Sequence, residues 1–101
     1  MDQKKKIDYK TIDLLLDRLR NRIGARYKQV KVNGELCYLL PNGVVFTFSR
    51  PQGFNSIIVE YADNINEANG YNYEDGCQFP LDWGEDKIFE AMVREIENEA
   101  I

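Results

Sequence analysis

The stretch Leu36-Cys37-Tyr38-Leu39-Leu40-Pro41-Asn42-Gly43-Val44-Val45-Phe46-Thr47-Phe48 decides the fold. Two apolar runs flank Pro-Asn-Gly. Side chains alternate sides along a strand, so the length of the loop fixes which of them share a face. A three-residue loop places Pro at the second turn position and Gly in the left-handed bulge position. It sets Leu40 opposite Val44, Tyr38 opposite Phe46 and Leu36 opposite Phe48, with all six on one side. A two-residue loop sets Leu40 against Val45 and Leu39 against Phe46, which scatters the large residues. The first register is therefore the expectation.

Working outward, Asn33-Gly34 lies between apolar runs and signals a second hairpin. Read as the same kind of loop, it puts Val30 opposite Leu36. Beyond Phe48 a looser connection, Arg-Pro-Gln-Gly-Phe-Asn, leads to a further apolar run over 57–61. These runs make a four-stranded antiparallel meander. Residues 62–78 are dominated by Asn and Asp and hold the turn pairs Asn69-Gly70 and Asp75-Gly76. They read as a long connection with room for a helical turn near 65–68, pinned back by Phe79-Pro80-Leu81.

Amphipathic helices bracket the strands. Tyr9, Ile12, Leu15, Leu16, Leu19 and Ile23 keep the 3–4 spacing of one helical face over 8–23. Asp8 suits the N-cap, and Gly24 the position just past the C-terminus. Ile88, Met92, Val93 and Ile96 do the same over 83–99, where Asp82 and Glu85 resemble a capping box and Glu90 and Arg94 sit one turn apart. Glu95, Glu97 and Glu99 oppose the helix dipole, so the last turn is expected to fray. The fold class is α+β: a two-layer single domain over 1–101, with an N-terminal helix, the meander, a C-terminal helix, and 1–6 as a flexible arm.

Composition agrees with one globular domain: 101 residues, 44% hydrophobic and 30% charged. No apolar run approaches the length of a membrane span. The opening Met-Asp-Gln-Lys-Lys-Lys does not read as a secretory signal. The expected location is the cytoplasm, with Cys37 and Cys77 as reduced thiols. The net charge of −4 conceals a division: residues 1–31 carry +6 and residues 32–101 carry −10. Such a field governs association and solubility rather than fold.

The chain has no histidine, which removes the commonest general base and the Ser-His-Asp and Cys-His constellations. Cys37 alternates within a strand and reads as packed. Cys77 has the acidic neighbours Glu74 and Asp75, which raise a thiol pKa rather than lower it. An EF-hand beginning at Asp63 fails at Ile65 and Ala68. An irregular oxygen cage from Asp63, Glu67, Glu74 and Asp75 is the remaining metal reading. No catalytic residue, cofactor or metal is assigned, and the protein is expected not to be an enzyme.

The reading that remains is a non-catalytic protein-interaction module. The second face of the meander carries Cys37, Leu39, Val45, Thr47 and Ile58, less polar than a solvated face should be. Either a helix or loop covers it, or the apolar residues are simply dispersed, or it is an association surface, since monomers rarely expose large apolar patches. Ile7 and Leu14, off the main helical stripe, are either a scattered exposed pair or the edge of a second interface. A homodimer through the sheet face, or an acidic inhibitor or immunity-type protein that mimics nucleic-acid charge, are specific forms of this reading. The alternatives are a nucleic-acid-associated protein using Lys4, Lys5, Lys6 and the arginines Arg18, Arg20, Arg22 and Arg26, and a small ligand binder between 63–78 and the sheet. Asp13 and Asp17 interrupt the basic helix and the acidic remainder repels a polyanion, so nucleic acid is the lesser expectation.

Helix–strands–helix order resembles the double-stranded-RNA-binding domain. The final helix there begins with a basic cluster, whereas this one begins Asp82-Trp-Gly-Glu85-Asp86, and the carry-over fails at those residues. The stretch from Glu60-Tyr-Ala62 through Glu74-Asp-Gly76 to Phe89-Glu-Ala-Met92 and Glu95-Ile-Glu97 resembles small uncharacterised proteins of bacterial and phage-like origin. That resemblance covers the C-terminal half and implies no activity.

Overall fold

At the Pro-Asn-Gly bend the Leu40 N–H donates to the Val44 carbonyl at 2.8 Å and the Gly43 N–H to the Leu40 carbonyl at 2.9 Å. Gly43 takes φ 93°, a left-handed conformation that costs an L residue energy and glycine little. The computed structural model describes residues 9–100. Ile7, Asp8 and Lys4 to Lys6, and with them the N-cap and basic-arm expectations, lie outside it.

The element order is α1 (Tyr9–Arg26), β1 (Lys28–Val32), β2 (Glu35–Leu39), β3 (Val45–Ser49), β4 (Ser56–Ala62), α2 (Ile65–Asn69), β5 (Glu74–Pro80), a 3-10 turn (Leu81–Trp83) and α3 (Glu85–Glu99). The strands form one antiparallel sheet in the order β1-β2-β3-β4-β5. The α+β architecture is the expected one, with five strands in place of four.

The fifth strand comes from the segment read as a connection. Asp75-Gly76, taken as a turn pair, lies inside β5. Val59 pairs with Cys77 and Glu60 with Asp75, so Gly76 is an extra residue bulged out of the ladder. The other pair, Asn69-Gly70, is the last residue and C-cap of α2, but the left-handed residue there is Tyr71, at φ 61°. The helical turn suggested near 65–68 is α2. Asn64 caps it by accepting the Glu67 N–H at 2.9 Å.

The Asn33-Gly34 register also differs by one residue. Val32 pairs with Glu35, Lys31 with Leu36 and Val30 with Cys37. Asn33 at φ 54° and Gly34 at φ 83° make a two-residue loop, because a turn with both central residues left-handed matches the strand twist. The shift turns Val30 and Val32 to the side of Cys37.

Both long helices lie on one face of the sheet. Leu15, Leu19 and Ile23 of α1 and Ile88, Met92 and Ile96 of α3 are buried in one cluster with Tyr38, Leu40, Phe46 and Phe48. Each large apolar side chain so enclosed contributes roughly 1.5–3 kcal/mol of transfer free energy. Val44 packs against this cluster, whereas Leu36, the sixth residue assigned to this side, remains 37% exposed. The helices run side by side in the same direction: Arg18 bonds Glu85 and Asp86, and Arg22 and Arg26 approach Glu97.

The helix ends differ in detail from expectation. α1 runs through Gly24 to Arg26, and the Tyr27 N–H bonds the Ile23 carbonyl at 2.9 Å. Gly84, with no capping side chain, precedes α3 in place of Asp82. The last turn of α3, expected to fray, has its Glu99 carbonyl bonded at 2.8 Å by the Asn42 side chain. The bend that sets the β2–β3 register thus also satisfies a carbonyl that a helix end leaves open.

Candidate functional site

The second sheet face is where the interface residues of the sequence converge, and α2 covers part of it. Ala68 is buried in a small core with Val32, Cys37, Val45 and Ala62. The Asn33 side chain holds α2 in place, donating to the Asn69 carbonyl at 3.2 Å and the Ala68 carbonyl at 3.4 Å. Tyr73 closes the far side, its hydroxyl 3.6 Å from the Cys37 sulfur. Cys37 and Val45 are fully buried within the chain. Leu39, Thr47 and Ile58 are half-buried, and Leu14 is 54% exposed on α1. Ile7 lies outside the described residues. The structure gathers Cys37, Leu39 and Val45 around α2 and does not leave the five sheet residues as one open apolar patch.

Beside α2 the surface is acidic. Asp63, Glu67, Asn72, Tyr73 and Glu74 line a recess of about 270 Å³. Glu67 accepts from the Asn72 side chain at 2.9 Å. Asp63, Glu67 and Glu74 are thus brought to one place as the oxygen-cage reading supposed, yet no group of three His, Cys, Asp or Glu among the described residues is placed to hold a metal ion. Tyr71, which precedes Asn72 of this lining in the chain, is 72% exposed. The Tyr71 N–H bonds the Ala68 carbonyl and the Asn72 N–H the Glu67 carbonyl, which locks the left-handed turn.

On the helix side charge is matched instead. Arg18 bonds Glu85 and, at 3.1 Å, Asp86, and its guanidinium lies 4.3 Å from the centre of the Phe89 ring. Those carboxylates raise the pKa of the arginine. Arg22 reaches Glu97 at 3.5 Å, Arg26 the same carboxylate at 3.7 Å, and Arg20 pairs with Asp17 at 3.2 Å. The four arginines of the basic first third are all engaged by carboxylates.

A third feature opens within the sheet itself. The β2–β3 ladder holds the pairs Tyr38–Phe46 and Leu39–Val45, against five pairs each for β1–β2 and β3–β4. The pairs that would continue this register, Cys37 with Thr47 and the expected Leu36 with Phe48, are not formed. The strands fork there around a cleft of about 360 Å³. Arg20, Leu36, Tyr38 and Phe48 line it on the helix side, and Glu35, Thr47, Ser49 and Glu60 on the other. The Thr47 hydroxyl bonds the Leu36 carbonyl at 3.4 Å across the gap. The Tyr38 ring stacks against Phe46 and Phe48, and its buried hydroxyl has no hydrogen-bond partner among the described residues.

The two thiols lie on opposite faces of the sheet, Cys37 with α2 and Cys77 against the main core, and both are free. Burial first, then the Glu95 carboxylate, raises the Cys77 pKa. The direction is the expected one, but the carboxylate comes from α3 rather than from Glu74 or Asp75. The fork, by contrast, left no sequence signal beyond the adjacent Leu36 and Phe48.

No described helix is long and apolar enough to cross a membrane. No protein-family model, curated protein or solved structure matches the chain.

Proposed function

We propose that the protein is a non-catalytic interaction module of the cytoplasm whose acidic α2 side receives a basic protein surface. One observation carries this reading: charge that is opposed in the sequence is unevenly cancelled in space. The α1 arginines meet α3 carboxylates, while Asp63, Glu67 and Glu74 share a recess that, among the described residues, no lysine or arginine lines. An unbalanced acidic patch steers and orients a cationic partner. Tyr71 beside it supplies the rigid aromatic area that interface hot spots favour. Its left-handed backbone is a cost that tyrosine bears and asparagine would bear less, which makes its position there a pointer to use.

The arginines invoked for nucleic-acid binding are already engaged, so that reading gains no support. Homodimerisation through Val45 and Cys37 would need α2 to leave. An inhibitor or immunity-type role remains a specific form of the proposal.

The test is affinity capture from native lysate using the chain and its Asp63→Asn/Glu74→Gln and Tyr71→Asn variants. The expected result is a captured protein of basic isoelectric point, released by salt and lost with the charge-neutralised and Tyr71 variants. A captured set that is identical for all three chains would refute the assignment.

A further inference from the structure

The sheet has two edges, and they are not equally protected. β5 carries the Gly76 bulge and ends in Pro80, features that keep an edge strand from pairing onward. β1 has neither. Its five residues, Lys28 to Val32, pair with β2 without interruption, and no strand among the described residues lies on its other side.

The register tells which main-chain groups of β1 face outward. The Leu40 N–H bonds the Val44 carbonyl and the Leu36 carbonyl takes the Thr47 hydroxyl, so the even-numbered residues of β2 address β3. Its odd-numbered residues address β1, where their partners are Val32, Val30 and Lys28. Direction alternates along an antiparallel strand. The N–H and carbonyl groups of Gln29 and Lys31 are therefore aimed away from the sheet.

We propose that this edge pairs with a second copy of the chain, β1 against β1 about a two-fold axis through Val30, so that two five-stranded sheets continue as one. The axis sets Gln29 opposite Lys31 of the other copy, and each such pair exchanges both of its N–H···O bonds. All the outward groups are then used. The two Val30 side chains meet at the axis as a closely spaced pair. Val30 already packs on the small core of Val32, Cys37 and Val45, so the contact extends that core into the second copy.

Charge selects the occupant. Lysines on an edge strand ordinarily repel a further strand. Here Lys31 meets Gln29, and Lys28 meets Val32, whose neighbour in β2 is Glu35. Lys28, Val32 and Glu35 share the α2 face, which gives each Lys28 a carboxylate one strand further on, twice over by symmetry. Within one chain Lys28 and Glu35 stand at opposite ends of the ladder. Both are exposed, and neither has an ion-pair partner among the described residues. Asp63, Glu67 and Glu74 take no part, so this interface stands or falls independently of the basic-partner reading.

A five-residue edge makes a small interface, and small interfaces give weak, exchanging dimers. Sedimentation equilibrium from micromolar to millimolar concentration should show monomer passing to dimer and nothing larger. Lys31→Pro removes an outward N–H and no bond to β2. It should keep the circular-dichroism spectrum and weaken the dimer by about tenfold or more. Lys28→Glu should weaken it by about threefold, and Lys28→Glu/Glu35→Lys should restore it, which damage to the fold would not do. Val30→Cys should form a disulfide-linked dimer on mild oxidation, because the paired positions fall within the span of a disulfide, while the parent with Cys37 and Cys77 should not. A mass that stays monomeric at millimolar concentration overturns the proposal, as does growth beyond two copies, the signature of β1 joining the β5 edge. So does a Lys31→Pro chain that dimerises like the parent, a charge-swapped chain no better than Lys28→Glu, or a Val30→Cys chain that oxidation leaves unlinked.

Discussion

The ring of Tyr61 lies against the backbone of Gly76, in the space that a β-carbon at position 76 would fill. Gly76 is the residue that β5 carries in excess of β4, so the ring covers the break in the ladder. The Tyr61 hydroxyl then reaches the Glu95 carboxylate of α3 at 3.3 Å, linking bulge and helix through one side chain. Gly76→Ala should destabilise the protein by about 1–3 kcal/mol, as overpacking does. In a Tyr61→Leu background the cost should fall without vanishing, because the Val59 carbonyl also crowds that position. Urea unfolding midpoints of the four chains decide it, and additive effects would show that the two residues do not touch.

Val45 and Leu39 separate closure of the second face from association across it. Val45 is fully buried beneath α2, whereas Leu39 is half-buried. Val45→Glu would bury an unpaired carboxylate and should cost about 3 kcal/mol or more. Leu39→Glu should cost about 1 kcal/mol, the central value for a point substitution. Circular-dichroism melts give both numbers. A Val45→Glu chain that melts with the parent would mean that α2 does not close over the sheet.

Arg18 is held by two carboxylates and by the face of Phe89. Its side chain is 42% exposed, so water and salt weaken the ion pairs. Arg18→Ala should destabilise by about 1 kcal/mol, combining a surface ion pair with an exposed cation–π contact. Part of that difference should disappear in molar salt. A loss that is the same at every salt concentration would assign the whole effect to packing.

Alkaline pH should weaken the fold through its tyrosines. Burial first, then the Glu95 charge, raises the Tyr61 pKa far above its ordinary value, and burial followed by the Cys37 contact raises that of Tyr73. A folded-state pKa above the unfolded one means that the native state holds more protons once pH exceeds the unfolded value. The stability from these groups is therefore complete below about pH 10 and declines above it. Tyr61→Phe and Tyr73→Phe should each flatten that decline in denaturant titrations across the alkaline range. An unchanged slope in both variants would contradict the assignment.

Legibility in the sequence followed the strength of local chemistry. Pro41-Asn42-Gly43 specified its own loop, and the large alternating residues around it left one sensible register. Asn33-Gly34 announced a turn, but its length was misjudged, since the lone Val30 and Val32 did not penalise a one-residue slip. β5 was hidden because Glu74-Asp-Gly-Cys-Gln carries turn formers and no β-branched residue. Its extended form is imposed by β4, a non-local partner that local propensity does not register. Of the surface residues, Cys37 and Val45 were rightly placed on the second face, while their cover, the five-residue α2, was too short to announce more than a turn. The fork depends on a pairing that is missing, and pattern reading supplies pairings more readily than gaps.

The parallel placement of α1 and α3 has a consequence during synthesis. Five strands separate these helices in the chain, yet they share one core. While the ribosome is still translating the sheet, the flank of α1 that Met92 and Ile96 will cover has no native neighbour and stays open to chaperones or to stray contacts. The last layer of this small domain can close only when residues near position 96 have left the exit tunnel.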